Sequence, residues 1–375
     1  MDFELSEEQR LLKDSVDRML ADTYPFDKRK GYMAEPDGFS QALWAQYAEL
    51  GLLGLPFAEE HGGFGGGPVE TMLVMEGIGR VLALEPYLAT VILCGAALRH
   101  AGSDAQNSAL LPRIAEGKLR MAFAHGERQA RYDLSDVLTT AKKSGSGWRL
   151  DGGKSVVVHG DTAQKLVVSA RTAGDRDDTD GISLFLVDTG AGGVARRAYK
   201  MRDGTGAAEL SLSGVDAELL GEAGEGFAVV ERVVEAGIAA SAADAVGGME
   251  TMLAMTVEYL KTRQQFGKPI GANQALQHRA SEMMMALEQG RSLEFLAAVR
   301  LDEEDAAARA HAFSTVKVGI GQAAKFVSQN AVQLHGGIGM TDEYAVGHYF
   351  RRAMVIEHTF GDITHHLSRL AAAIA

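Results

Sequence analysis

Apolar residues recur along this chain with two different periods, and the change from one to the other divides it. Leu12, Val16, Met19 and Leu20 stand at helical spacing behind Ser6-Glu7-Glu8-Gln9, which has the form of a capping box with Leu5 as its staple. A second helix is expected from about Ser40 through Leu43, Tyr47 and Leu50 to a stop at Gly51. The glycine-rich run from Glu59 to Gly67 reads as a turn-rich loop, a lid or a linker, and helical spacing resumes over residues 69–81, 87–99 and 105–116. Near Arg120 the period falls to two. Residues 148–158 predict a strand, a turn at Asp151-Gly152-Gly153-Lys154 and a second, β-branched strand, with further short strands at 166–170, 182–187 and 208–212. The acidic segment 174–181 reads as a solvated hairpin loop.

Helical patterning returns after Gly221. Phe313, Val316, Ile320, Ala323, Val327, Ala331 and Leu334 hold a period near 3.6, and Ala280, Met283, Leu287 and Gly290 repeat it on a shorter helix. Small residues on such a stripe predict a closely packed bundle. The chain of 375 residues exceeds what one core usually serves. An α+β protein is expected, with a helical domain over 1–119, a β domain over 120–217 and a helical bundle over 218–375.

A net charge of −13 argues against nucleic acid or an anionic membrane as the main partner. Cys94 is the single cysteine, so no intrachain disulfide forms; with no charged-then-apolar leader before the acidic start, the cytoplasm is the expected compartment. The most apolar run, 87–98, falls short of the roughly 20 residues a membrane span needs and reads as a buried helix. No metal-ligand spacing occurs: His365-His366 are adjacent, and His311, His335, His348 and His358 stand apart.

Candidate chemistry lies in two patches. Gln333-Leu334-His335-Gly336-Gly337-Ile338-Gly339-Met340-Thr341 closes a long apolar-periodic helix with a burst of glycines, which lets main chain approach something flat or charged. A plain helix cap followed by a turn is the alternative. Upstream, Arg263, Phe266-Gly267, Gln274 and Gln277 offer a guanidinium, an aromatic ring and amides that suit a pyrophosphate and an adenine.

Arg263-Gln264-Gln265-Phe266-Gly267 together with residues 333–339 resemble the acyl-CoA dehydrogenase family, and the order of helices, β domain and bundle agrees across nearly the whole chain. The resemblance implies a helical N-terminal domain, a β-barrel-like middle domain and a C-terminal four-helix bundle. It implies FAD as cofactor and an acyl-CoA substrate, as in fatty-acid β-oxidation, with electron-transfer flavoprotein as acceptor. A proton leaves Cα and a hydride leaves Cβ to give a trans-2-enoyl thioester. Arg263, Gln265, Phe266, Gln333, Gly336 and Gly337 match residues with which one subunit holds the pyrophosphate and adenine end of its neighbour's FAD.

The other half departs from the family pattern. Gly126-Glu127-Arg128 and Ala130-Arg131-Tyr132-Asp133 stand where the family usually reads Thr-Glu-Pro and Ala-Gly-Ser-Asp, and Val156-Val157-Val158 stand for Trp-Ile-Thr. The tail reads Phe360-Gly361-Asp362-Ile363-Thr364 for Tyr-Glu-Gly-Thr, which puts Gly361 at the position of the catalytic base. Asp362, one residue along, is the candidate base, with a capping or solvated aspartate as the plainer reading. The family's alternative glutamate would fall near Gly237; Glu235 is about 200° away around a helix and reads as a surface charge. Such a mixture is similar to a helper subunit, and Met1-Asp2-Phe3, Glu7-Glu8-Gln9-Arg10, residues 47–64 and Phe360-Gly361-Asp362 resemble the small subunit of pimeloyl-CoA dehydrogenase. The partner is then a homologous large subunit in a heterotetramer; a homotetramer is the alternative. Arg128, Arg131 and His125 are candidates for meeting a distal carboxylate, or else solvated loop residues.

Overall fold

The computed structural model describes residues 5–145 and 147–373, so the similarity at Met1-Asp2-Phe3 lies outside the described residues. Among the described residues six α-helices come first: α1 (Glu7–Thr23), α2 (Phe26–Met33), α3 (Gln41–Glu49), α4 (Pro68–Val81), α5 (Gly95–Ala101) and α6 (Asp104–Ala115). Ser6 and Gln9 exchange the two hydrogen bonds of a capping box, and Ser40 caps α3. Within the run 87–98, Leu88–Cys94 winds as a π-helix before α5 begins. There the Thr90 hydroxyl accepts from Met121 N at 3.1 Å and lies 3.0 Å from Met121 O, tying this wider winding to strand β1 (Met121–Ala124).

The chain forms two compact units. One comprises Met1–Gly31, Pro68–Ala83 and Ile238–Ala375; the other comprises Tyr32–Gly67 and Leu84–Gly237. The N-terminal helices are thereby shared out, α1 and α4 going to the first unit and α3, α5 and α6 to the second.

The second unit is built on β1, β2 (Thr140–Ser144), β3 (Gly147–Val158), β4 (Lys165–Arg171), β5 (Ile182–Asp188), β6 (Val194–Lys200) and β7 (Gly206–Leu220). β4 pairs with β5, β5 with β7, β7 with β3 and β3 with β2; β2 then meets β4 at Thr140 and Arg171, which closes a ring. Leu150, Val157, Leu166, Phe185, Val187 and Leu210 fill its interior. Residues 148–158 are one strand and not the expected hairpin. Gly152 (φ +148°) lies against Thr139, whose Cα a Cβ would meet at 2.6 Å, and the ladder shifts register there. The glycine serves a bulge and a close approach, and the antiparallel partner of β3 is β2, paired from Thr140 with Asp151 to Ser144 with Gly147.

In the first unit, the segment of α7 (Gly226–Thr262) from Ile238 onward joins α8 (Gln274–Arg300), α9 (Ala306–His335), α10 (Val346–His358) and α11 (Ile363–Ala372). α9 packs against α8, α10 and α11, and all seven residues of its expected apolar stripe are buried. α4 and α7 meet backbone to backbone: a Cβ on Gly79 would stand 2.1 Å from Asp244 O, and one on Gly247 2.0 Å from Glu76 O. Arg80 pairs with Asp17, Glu76 and Glu250 beside this contact. Among the described residues no helix is long and apolar enough to cross a membrane, and no group of side chains is arranged to hold a metal ion.

Candidate cofactor site

The two glycine-bearing patches belong to the first unit, where their roots pack on one another. After α7 the chain makes a hairpin, β8 (Gln264–Gln265) against β9 (Lys268–Pro269), turning on Phe266 and Gly267, both left-handed at φ +53° and +78°. That conformation is uncommon for a bulky residue, and Phe266 is 97% exposed at the tip. Arg263 is held through its backbone, its N–H donating to Tyr259 O at 2.9 Å and its carbonyl accepting from Ile270 N at 2.9 Å, while its side chain is exposed. One turn back, the Tyr259 ring stacks on His335 at 4.5 Å. His335 Nδ1 donates to Ala331 O at 2.8 Å, leaving Nε2 to accept from the Tyr344 hydroxyl at 3.3 Å. Gly336 follows directly at φ +64° and opens the turn Gly336–Met340.

The structure thus ties the hairpin bearing Arg263, Gln265 and Phe266 to the end of α9 bearing Gln333 and to the turn bearing Gly336 and Gly337, all six exposed. Gln274 is exposed as well, whereas Gln277 donates to Gly271 O at 2.7 Å and braces the segment after the hairpin. A Cβ on Gly337 would meet nothing within 4 Å, and its φ is not left-handed. Neither packing nor backbone geometry of this chain calls for a glycine there. Tyr259 and Tyr344 had no signal in the sequence, since each is an ordinary aromatic until the fold sets it beside His335.

The β-domain positions lie in the second unit. Lys154 is buried and its ammonium donates to Glu127 Oε1 at 2.7 Å, Ser169 Oγ at 3.0 Å and His125 O at 3.1 Å. Burial alone raises the Glu127 carboxyl. The Lys154 charge and hydrogen bonds from Lys154, Thr139 and Gln129 outweigh it and hold the group at about 2. Burial pushes Lys154 down to about 8, so both are charged at neutral pH. Burial and the Lys154 charge hold His125 at about 4, so it stands neutral against the Phe123 ring and is no cationic partner for a carboxylate. Val156 is left-handed at φ +52° and 55% exposed, and its N–H donates to Glu209 Oε1 at 3.2 Å. Gly126, Val156 and Val158 have no side-chain donor to offer a ligand. Arg128 lines a groove of about 560 Å3 with Gln129, Ser155, Arg197 and Glu209.

In the tail, Asp362 is the N-cap of α11, its carboxylate accepting from His365 N at 2.8 Å. Gly361 has φ +104° and no room for a side chain, because a Cβ would lie 2.5 Å from His366 Nε2. Glu235, in the second unit, is 7% exposed, which corrects its reading as a surface charge.

Three family models match consecutive parts of the chain: acyl-CoA dehydrogenase N-terminal domain over residues 6–118, middle domain over 122–215 and C-terminal domain over 224–375. The chain belongs to the acyl-CoA dehydrogenase family. Acyl-CoA dehydrogenases are FAD-binding flavoproteins, oxidoreductases acting on CH–CH donors. The short-chain-specific acyl-CoA dehydrogenase of Megasphaera elsdenii is 31% identical, with 95% of each chain covered. Among solved structures, a Tcur3481–Tcur3483 steroid acyl-CoA dehydrogenase variant is similar at TM-score 0.89 and 29% identity over 98% of both chains. The ChsE4–ChsE5 complex of Mycobacterium tuberculosis is similar at TM-score 0.88 and 26% identity, covering 100% of this chain and 99% of that one.

Against FAD, the two patches differ. The open space at Gly337, the exposed ring of Phe266 and the exposed Arg263 fit the phosphate and adenine end of a dinucleotide. The β-domain set does not fit the ring end by side-chain hydrogen bonding: Gly126 and Val158 bear no hydroxyl, and no aromatic stands at Val156.

Proposed function

We propose that this chain is a helper subunit in FAD-dependent α,β-desaturation of an acyl-CoA, lending its hairpin tip and glycine turn to a flavin whose ring is held by a homologous catalytic chain. The observation that carries this reading is the pairing of Gly337, a glycine its own fold does not need, with a fully presented Phe266. In this assembly Arg263 would meet the pyrophosphate charge, Phe266 would offer its ring to the adenine end, Gln265 and Gln333 would supply amide hydrogen bonds, and Gly336 and Gly337 would let main chain approach the ligand. Bound FAD would supply the acceptor for the hydride that leaves Cβ of the thioester. This chain's residues bind and orient; they carry no proton or hydride. The likeness to Tcur3481–Tcur3483 and to the ChsE4–ChsE5 complex, each named for two components, supports a heteromer over a homotetramer.

Purification from the native host tests it. A homologous companion chain that co-purifies with this one and carries a carboxylate at the tail position lacking here is the expected result. A homo-oligomer loaded with flavin and active by itself contradicts it. A finer reading, a dicarboxylyl-CoA such as pimeloyl-CoA, rests on Arg128 at its groove; unchanged discrimination between pimeloyl-CoA and octanoyl-CoA in an Arg128→Ala assembly ends it.

A further inference from the structure

We propose that the groove between α7 and α8 is a docking surface for a second copy of this chain, joined about a two-fold axis. The proposal goes beyond the flavin reading above and needs neither FAD nor a companion chain. The two helices run antiparallel, since a Cβ on Gly271 would stand 2.7 Å from Leu260 O and one on Gly290 would stand 2.7 Å from Met249 Cε. Between these contacts lies a groove of about 480 Å3, with Leu253 and Val257 on one wall and Met284 on the other. Met284 is 57% exposed, and Met285 beside it is 64% exposed. Such a methionine pair, unbranched and flexible, suits an adaptable apolar contact with another protein surface.

Charge selects the occupant. At the end of the groove nearest α4, Arg80 pairs with Asp17, Glu76 and Glu250, and Arg291 pairs with Glu76, Glu250 and Glu288. Glu294 is buried beside them, and its Oε2 accepts no hydrogen bond among the described residues. Burial and the Glu76 charge hold its carboxyl well above the usual range, so it adds no charge. Four carboxylates still face two guanidiniums, and two of the four, Glu250 and Glu288, line the groove. At the other end stands Lys261, exposed and in no ion pair among the described residues. Glu258 lies one turn before it, so this end is balanced while the first is acidic. Glu250 and Lys261 are about 16 Å apart along α7 at the helical rise of about 1.5 Å per residue. A two-fold axis between the two ends sets each Lys261 against Glu250 and Glu288 of the other copy and brings the methionines together near the axis. An isologous interface needs such a surface, complementary to itself. A basic segment of an unlike chain would answer the acidic end but repel Lys261.

Charge reversal in the full-length chain, followed by analytical ultracentrifugation in low salt, tests the proposal. The wild-type chain by itself is expected to sediment as a dimer. Lys261→Glu and Glu288→Lys are each expected to raise the dimer dissociation constant at least about tenfold, because each sets like charges against one another at both symmetry-related contacts. Both side chains are exposed, so unchanged circular dichroism is expected to show each variant folded. Mixing the two variants is expected to restore association to within about threefold of wild type, since position 261 of one chain and position 288 of the other are then opposite in charge at both contacts. A wild type that is monomeric alone or associates only with an unlike companion chain overturns the proposal. So does either variant that associates as tightly as wild type, or a mixture that fails to recover. Flavin content keeps the two claims apart: a co-expressed unlike pair without FAD ends the helper reading, whereas the like dimer is read without flavin.

Discussion

Replacing Lys154 by Met should unfasten the β domain from inside. The ammonium is buried and makes three hydrogen bonds, and its removal leaves the Glu127 carboxylate, also buried, with only the Leu138 and Thr139 amides and Gln129 as donors. Breaking a buried pair from one side costs about 3–5 kcal/mol. Burial raises the Glu127 carboxyl, and the Lys154 charge and its hydrogen bond outweigh burial and hold the group at about 2, so the lost ammonium is the group on which that low value depends. The sign follows from linkage. The folded value is depressed, so this contribution is fully present above pH 4.5 and is lost as pH falls from there through about 2. Both tryptophans, Trp44 and Trp148, lie in the second unit, so urea unfolding followed by their fluorescence reports on this unit. Lys154→Met should lower its stability by about 3 kcal/mol or more, and adding Glu127→Gln should recover a large part. A loss under about 1 kcal/mol, the range of an exposed pair, refutes the reasoning.

Phe266→Ala should leave the chain's own stability unchanged within about 0.5 kcal/mol, as for any exposed side chain, yet weaken flavin retention in the assembly at least about tenfold, read by ultrafiltration. Gly247→Ala should cost about 3 kcal/mol in thermal unfolding followed by circular dichroism, because its Cβ runs into Glu76 O at the crossing of α4 and α7. His366 is depressed by burial to about 4 from 6.5; its contribution is full above pH 6.5 and is lost as pH falls through 4, so His366→Ala should flatten that limb of the stability profile.

How much the sequence disclosed depended on whether the burial pattern was periodic. The stripe on α9 and the capping box at Ser6 were legible because helix period and cap chemistry are local. β2 and β6 were not, since β2 buries one residue in five and β6 none fully, which leaves no alternation to read. Gly152 misled because a glycine needed for a bulge looks in sequence like one needed for a turn. At the candidate site, the hairpin and glycine turn were visible as residue types. Their junction through Tyr259 and His335 was not, because residues 76 positions apart meet only in the fold. The same holds for Glu127 with Lys154 and for Ser314 with His366, whose partners carry no local signature.

The most direct test is the flavin count. The chain expressed and purified by itself should emerge colourless, with no bound FAD, and co-expression with its partner should yield about one FAD per pair of chains. A yellow, singly expressed protein with about one FAD in every copy that desaturates acyl-CoA unaided would contradict the account.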